Sequence, residues 1–196
     1  VAFPLGIVSA IYRNSWIDNV ARFFALIGVS MPSFWFGPLL IIAFAIKFEW
    51  FPVSGREDGL KSLVLPSVTM GLALSAILTR MIRVSLAEEL HQLYVTTAIA
   101  KGVTRVKAIF GHALKNALIP VITVLALQFG SLLTGAIITE QIFSWPGLGR
   151  LLIQSITTRD YPQVQASILV IALTYIMVNF VSDLMYGVVD PRIKLE

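Results

Sequence analysis

The residues able to do chemistry are few and scattered. The chain has eleven acidic side chains, two histidines and no cysteine among 196 residues. Without a thiol it can build neither a disulfide framework nor a thiolate metal site. His91 and His112 lack metal-ligand spacing, so no metal site is expected, and His112 is read as a structural hydrogen-bonder. No phosphate loop of the pattern G-x-x-x-x-G-K-[ST] occurs. The carboxylates gather into no catalytic group, which argues against a membrane enzyme. The polar residues that remain interesting lie inside apolar runs, where such groups are costly and tend to be functional. Asp183 sits one helical turn from Asn179, and it is expected to pair with Arg80 or Arg83. Gln128 lies deeper, and Gln128, Gly130 and Thr134 are candidates for lining a pathway. Glu140 reads as a solvated or loop-fixing charge.

The elements that must carry these residues are membrane helices. Hydrophobic residues make up 57% of the chain and charged ones only 13%, with a mean hydropathy of +0.82; soluble domains carry about 25% charged residues. Four uncharged segments, at 23–46, 62–79, 116–139 and 161–182, each approach the length a helix needs to cross the hydrocarbon. The opening run, Val1 to Tyr12, reads as half of a fifth crossing rather than a signal peptide, so the natural N-terminus is expected to lie upstream. The expected fold is an all-α integral membrane protein, a single domain over residues 1–196. Pro32 and Pro38 should bend the 23–46 segment. Small residues recur every fourth position at Gly71, Ser75 and Thr79, at Ala126, Gly130 and Thr134, and at Ser131, Gly135 and Thr139, which suits close helix packing in lipid.

Charge sets the orientation. With 12–21, about 84–116 and the C-terminal tail in the cytoplasm, those segments and the helix ends beside them, which carry Arg22, Arg80 and Arg83, hold ten of the fifteen Lys and Arg residues, as the positive-inside rule requires. The net charge of +4 is therefore assigned to membrane topology and not to nucleic acid. Trp50, Phe51, Trp145 and Tyr161 then fall near the outer boundary.

One cytoplasmic stretch, "YVTTAIAKGVTRVKAIFGHALKNALIP" from Tyr94, is polar and helix-prone. Ser85 and Glu88 have the spacing of a capping box, unless the preceding membrane helix simply continues through them. Gly102 predicts a tight turn. From Val103 to Leu118 apolar residues recur at helical spacing, so an amphipathic helix should run into the membrane near Asn116 to Pro120. Such a helix either lies on the anionic leaflet or fits a groove on a soluble partner.

This stretch resembles the EAA loop of binding-protein-dependent ABC importer permeases, with Thr96, Thr97 and Ala98 at the Glu-Ala-Ala positions and Gly102 at the glycine. "TAIAKG" and "HALKNALIP" are similar to the dipeptide/oligopeptide/nickel branch, as are "GVSMPSFWFG", "WFPVSG", "EQIFSWPGLGRLL", "RDYPQVQ" and "DLMYGVVDPRIK", in order along the whole chain. Permeases of that family carry another membrane helix and an external segment before the point where this chain starts.

The resemblance implies a type I importer permease. Its pathway would form with a second permease subunit in a bacterial or archaeal inner membrane. Two cytoplasmic ATPase subunits would hold ATP and Mg, and an extracytoplasmic binding protein would deliver the solute. The chain itself would need no cofactor. Thr97, Ala98, Lys101, Gly102, Arg105 and Lys107 would form the coupling helix, the three cations pairing with acidic residues of the ATPase cleft or with lipid phosphates. Phe143, Trp145, Pro146, Gly147 and Gly149, in the external loop at about 140–162, would belong to an external gate or dock the binding protein; Pro146, Gly147 and Gly149 should forbid a regular helix there. Peptides are the expected solute, with nickel second. A secondary transporter is the rival class, but no inverted repeat is evident.

Overall fold

The computed structural model describes the backbone of residues 1–189, and their side chains except at 126, 129–131, 133–135, 182–183 and 185–189. Those residues form helices joined by short connections: α1 (Ala2–Ile11), α2 (Trp16–Ser30), α3 (Ser33–Leu40), α4 (Leu60–Glu89), α5 (Leu93–Ala100), α6 (Arg105–Ala108), α7 (Leu114–Ile142), α8 (Leu148–Thr157) and α9 (Tyr161–Val189). A helix satisfies its own backbone groups, which is what lipid demands of a spanning segment. Among the described residues three stretches are long and apolar enough to cross a membrane: Leu60–Glu89, Arg105–Leu125 and Tyr161–Val181. A fourth arises if the broken pair Trp16–Ser30 and Ser33–Lys47 is one span, and α1 is a shorter apolar helix.

The sequence explains the breaks. The Ser15 hydroxyl accepts the Asp18 N–H at 3.3 Å, capping the first turn of α2. Pro32 disfavours helical geometry at the residue before it, so the second apolar segment breaks at Met31–Pro32. Pro38 lies inside α3, which continues as π-helix over Ile41–Lys47. The capping box at Ser85 does not form: α4 runs unbroken to Glu89, and Ser85 is buried within it. The continuation through that position is the outcome.

Two compact units divide the chain, one built on Val1–Val29 and Leu74–Ala126, the other on Ser30–Ala73 and Leu127–Ser182. In the first, Ala2, Leu78, Ile82 and Val121 form one core cluster. Gly6 lets α1 lie against α4, since a Cβ there would come within 2.8 Å of Ile82. A second cluster joins Ala10, Leu86, Ala87, Val95, Ala108, Ala113 and Ala117. In the second unit Leu40, Ala45, Leu65 and Phe143 make the core. Phe44, Phe48 and Trp50 pack beside one another, with Phe48 and Trp50 stacked at 5.1 Å between ring centroids.

Candidate functional site: the α5–α6 elbow

Helix α5 ends in a turn of defined chemistry. The Gly102 N–H donates to Ile99 O at 2.9 Å, and the Val103 N–H donates to Ala98 O at 3.1 Å. These two bonds make a Schellman motif, which needs a left-handed residue after the cap. Gly102 supplies it at φ +91°, where a side chain is disfavoured. Helix α5 ends there, and α6 starts at Arg105. A π-helical turn over Ile109–Ala113 then leads without interruption into α7.

The elbow is held from beneath by small side chains. Val95 of α5 and Ala108 and Ala113 beyond the turn are fully or almost fully buried, packed with Leu86 and Ala87 of α4 and Ala10 of α1. Alanine at four of these places lets the backbones approach closely. A polar tie reinforces the seat: the Tyr94 hydroxyl donates to Glu89 Oε2 at 2.5 Å and accepts from Asn116 Nδ2 at 3.0 Å. Burial, and then the Glu89 carboxylate, push the Tyr94 phenol above its ordinary value, so it stays protonated as a donor.

The outward side differs. Thr97, Lys101, Gly102, Arg105 and Lys107 are exposed and Ala98 is half-buried. Leu93, Ile99, Val106 and Phe110 are exposed apolar residues among them, Leu93 by 82% and Val106 by 67%. Apolar side chains rimmed by cations on a polar loop suit contact with lipid or with a partner protein. Thus all six residues expected at the coupling helix lie on α5, its turn and α6. His112 disappoints the sequence reading: it is exposed and its ring makes no hydrogen bond among the described residues, whereas His91 Nδ1 lies 2.6 Å from Ala87 O.

The loop after α7 is folded onto its own unit. Phe143 is 2% exposed, packed in the core, and its carbonyl accepts the Gly55 N–H at 2.9 Å. Glu140 fixes the corner: its carbonyl accepts the Trp145 N–H at 2.8 Å, and its Oε2 accepts the Arg150 N–H at 3.0 Å. Gly147 lies against the Glu140 carboxylate, which a Cβ there would have to displace. Helix α8 begins at Leu148, directly after Gly147, so Gly149 does not interrupt helix as expected; it permits close packing, a Cβ there falling 2.6 Å from Ile137 Cα. Trp145 is half-buried under the Arg56 guanidinium, and Pro146 is exposed.

Among the pathway candidates, the surroundings of Gly130 and the side chain of Thr134 lie outside what is described, and Gln128 is half-buried with an interaction of its own. Asp183 likewise lies outside the described side chains. Arg83, one of its two expected partners, is bound elsewhere. Its Nε and Nη2 donate to Asp18 Oδ1 and Oδ2 at 2.6 and 2.7 Å. Ser9 Oγ and the Asn14 N–H also donate to that carboxylate, at 2.6 and 2.9 Å, and Asp18 is completely buried. Sequence reasoning missed this site. Its signal was a lone Asp in the first turn of a membrane helix, a position easily read as a helix-dipole charge.

Comparison with known proteins bears on the whole chain. The family model described as "Binding-protein-dependent transport system inner membrane component" matches residues 2–195. The glutathione transport system permease protein GsiC of Escherichia coli K12 is 43% identical over 191 residues, covering 97% of this chain and 62% of that protein. GsiC of Pectobacterium atrosepticum is 43% identical over 192 residues, with 98% and 62% covered. The dipeptide transport system permease protein DppB of E. coli K12 is 43% identical over 224 residues, with 99% and 66% covered. The chain thus spans 62–66% of the length of these curated relatives. With a family match over almost its whole length, the chain belongs to the inner membrane components of binding-protein-dependent transport systems.

Proposed function

We propose that this chain is a permease subunit of an ATP-driven importer that moves small peptides inward. The carrying observation is the α5–α6 elbow: an exposed apolar and cationic surface on a rigid turn, seated by Val95, Ala108 and Ala113 against the helices that would form the pathway. Cytoplasmic ATPase subunits dock on Thr97, Ala98, Lys101, Gly102, Arg105 and Lys107 and hold the ATP and Mg; the chain contributes no cofactor and hydrolyses nothing. Closure of the ATPases on ATP displaces the elbow, and because the elbow shares a core with α1, α4 and α7, the displacement reaches the membrane helices.

A second permease subunit completes the pathway, with Gln128, Gly130 and Thr134 as its candidates here. A solute-binding protein delivers cargo at the external side, where Trp145 and Pro146 are accessible and Phe143, Gly147 and Gly149 set the corner. Peptides are preferred to nickel because the relatives named above are a glutathione and a dipeptide permease. The ion-driven alternative loses its ground with the family match.

Peptide uptake and ATPase stimulation by the assembled transporter test this reading. Gly102→Val and Ala98→Glu should abolish both while the chain still inserts. Normal uptake by both variants, with the ATPase attached, would overturn it.

A further inference from the structure

The Asp18–Arg83 pair borders a cleft that shares no residue with the exposed face of the elbow. The cleft measures about 360 Å³ and lies in the first unit between α2 and α4, with Ser9 of α1 at one side. Its walls are largely aliphatic: Ala25, Leu26, Val29 and Val84. Arg22, Arg80 and Arg83 also line it. Asp18 takes the charge of Arg83. Ser9 Oγ is committed to Asp18, and Thr79 Oγ1 to Ser75 O. Arg22 is half exposed; it reaches Asn19 Oδ1 and comes within only 3.5 Å of the already satisfied Asp18. Arg80 is exposed and meets no ionic or hydrogen-bonding partner among the described residues, and the side chain of Asp183, one of its expected partners, lies outside them.

Arg22 and Arg80 line the same cleft. Arg22 stands one turn beyond Asp18 on α2, and Arg80 one turn before Arg83 on α4, each next to the residue that ties the two helices together. Beyond Arg22, Leu26 and Val29 continue the aliphatic wall along α2. Guanidinium groups lining an apolar slot on a membrane protein match an amphiphile with an anionic head. Guanidinium binds phosphate by paired N–H donors, and unneutralised cations near lipid are costly. Both arginines fall on the side that positive-inside charge assigns to the cytoplasm.

We propose that this cleft binds an anionic diacyl phospholipid, its phosphate held by Arg22 and Arg80 and one acyl chain lying along Ala25, Leu26 and Val29. The test is native mass spectrometry of the assembled transporter released from nanodiscs containing phosphatidylglycerol and phosphatidylcholine with identical acyl chains. The unmodified protein should retain phosphatidylglycerol in preference. The double variant Arg22→Gln/Arg80→Gln should lose roughly tenfold in that preference, and Leu26→Trp, which fills the slot without altering charge, should lose it too. A control double variant, Lys61→Gln/Arg159→Gln, should retain it. Equal retention of the two lipids would overturn the proposal. So would unchanged phosphatidylglycerol retention in both cleft variants, or retention by the isolated chain that vanishes on assembly, which would mean that protein covers the cleft.

Discussion

Arg83 grips Asp18 through two parallel hydrogen bonds, at 2.6 and 2.7 Å, joining the first turn of α2 to α4 across 65 positions of sequence. Ser9 and the Asn14 backbone complete the carboxylate's shell, so α1 and its turn into α2 are fastened as well. Bidentate guanidinium–carboxylate geometry fixes orientation as well as distance. Arg83 sits three residues before Leu86, which packs under the elbow. The clamp therefore sets the frame to which the elbow is attached.

Breaking one side of this clamp should be expensive. Asp18→Asn leaves Arg83 without its counter-charge, and the loss should be about 3–5 kcal/mol, the usual cost of uncoupling a buried pair. Thermal unfolding of the purified chain in detergent measures it. The double variant Asp18→Leu/Arg83→Met should lose much less than the two single changes summed, because no orphaned charge remains.

Gly102→Ala should cost about 1–2 kcal/mol through the left-handed backbone alone, with nothing within 4 Å to clash with the added methyl. Gly102→Asn should be milder, since Asn tolerates such positions. Amide exchange across α5 should quicken in that order, and ATPase stimulation should fall in the same order.

Tyr94→Phe removes a hydroxyl that bridges Glu89 and Asn116. The expected loss is about 1 kcal/mol, seen as faster amide exchange in α5. The raised phenol fixes the pH dependence. Its contribution is fully present below the ordinary tyrosine range and is lost only as pH climbs through the elevated folded value. Protection of α5 by this bridge should therefore hold through mildly alkaline pH, and Tyr94→Phe should show the lower protection throughout.

Gly149→Ala places a methyl 2.6 Å from the Ile137 backbone and should lift α8, at about 1–3 kcal/mol. Limited proteolysis between 143 and 160 should accelerate. Gly71→Ala is the contrast: a helical position with nothing within 4 Å of the new Cβ, expected to be neutral or slightly stabilising.

Local signals in the sequence located what depends on local chemistry. The helical apolar runs, the turn at Gly102 and the amphipathic run after it follow from period, length and backbone preference, and they stand in the structure. The bend expected from Pro32 and Pro38 is sharper than expected: α2 ends before Pro32, and the helices on either side turn by 106°. The capping box at Ser85 failed because a membrane helix needs no cap where its backbone bonds continue. The expectation that Gly149 stays outside a helix failed because its role is tertiary: it makes room for Ile137. His112 was overread, and His91 carries the bond to backbone instead. The Asp18 clamp was illegible for a similar reason, since its donors come from Ser9, Asn14 and Arg83 and only folding assembles them.

The central claim is that the elbow around Gly102 seats in a soluble ATPase partner. Because the chain has no cysteine, single substitutions give clean cross-linking sites. Thr97→Cys and Val106→Cys, carrying a short photoreactive linker in the assembled transporter, should each capture the ATPase subunit, whereas Val53→Cys should not. Capture of lipid alone from both elbow positions, or labelling of both by an impermeant reagent applied from outside the cell, would contradict it.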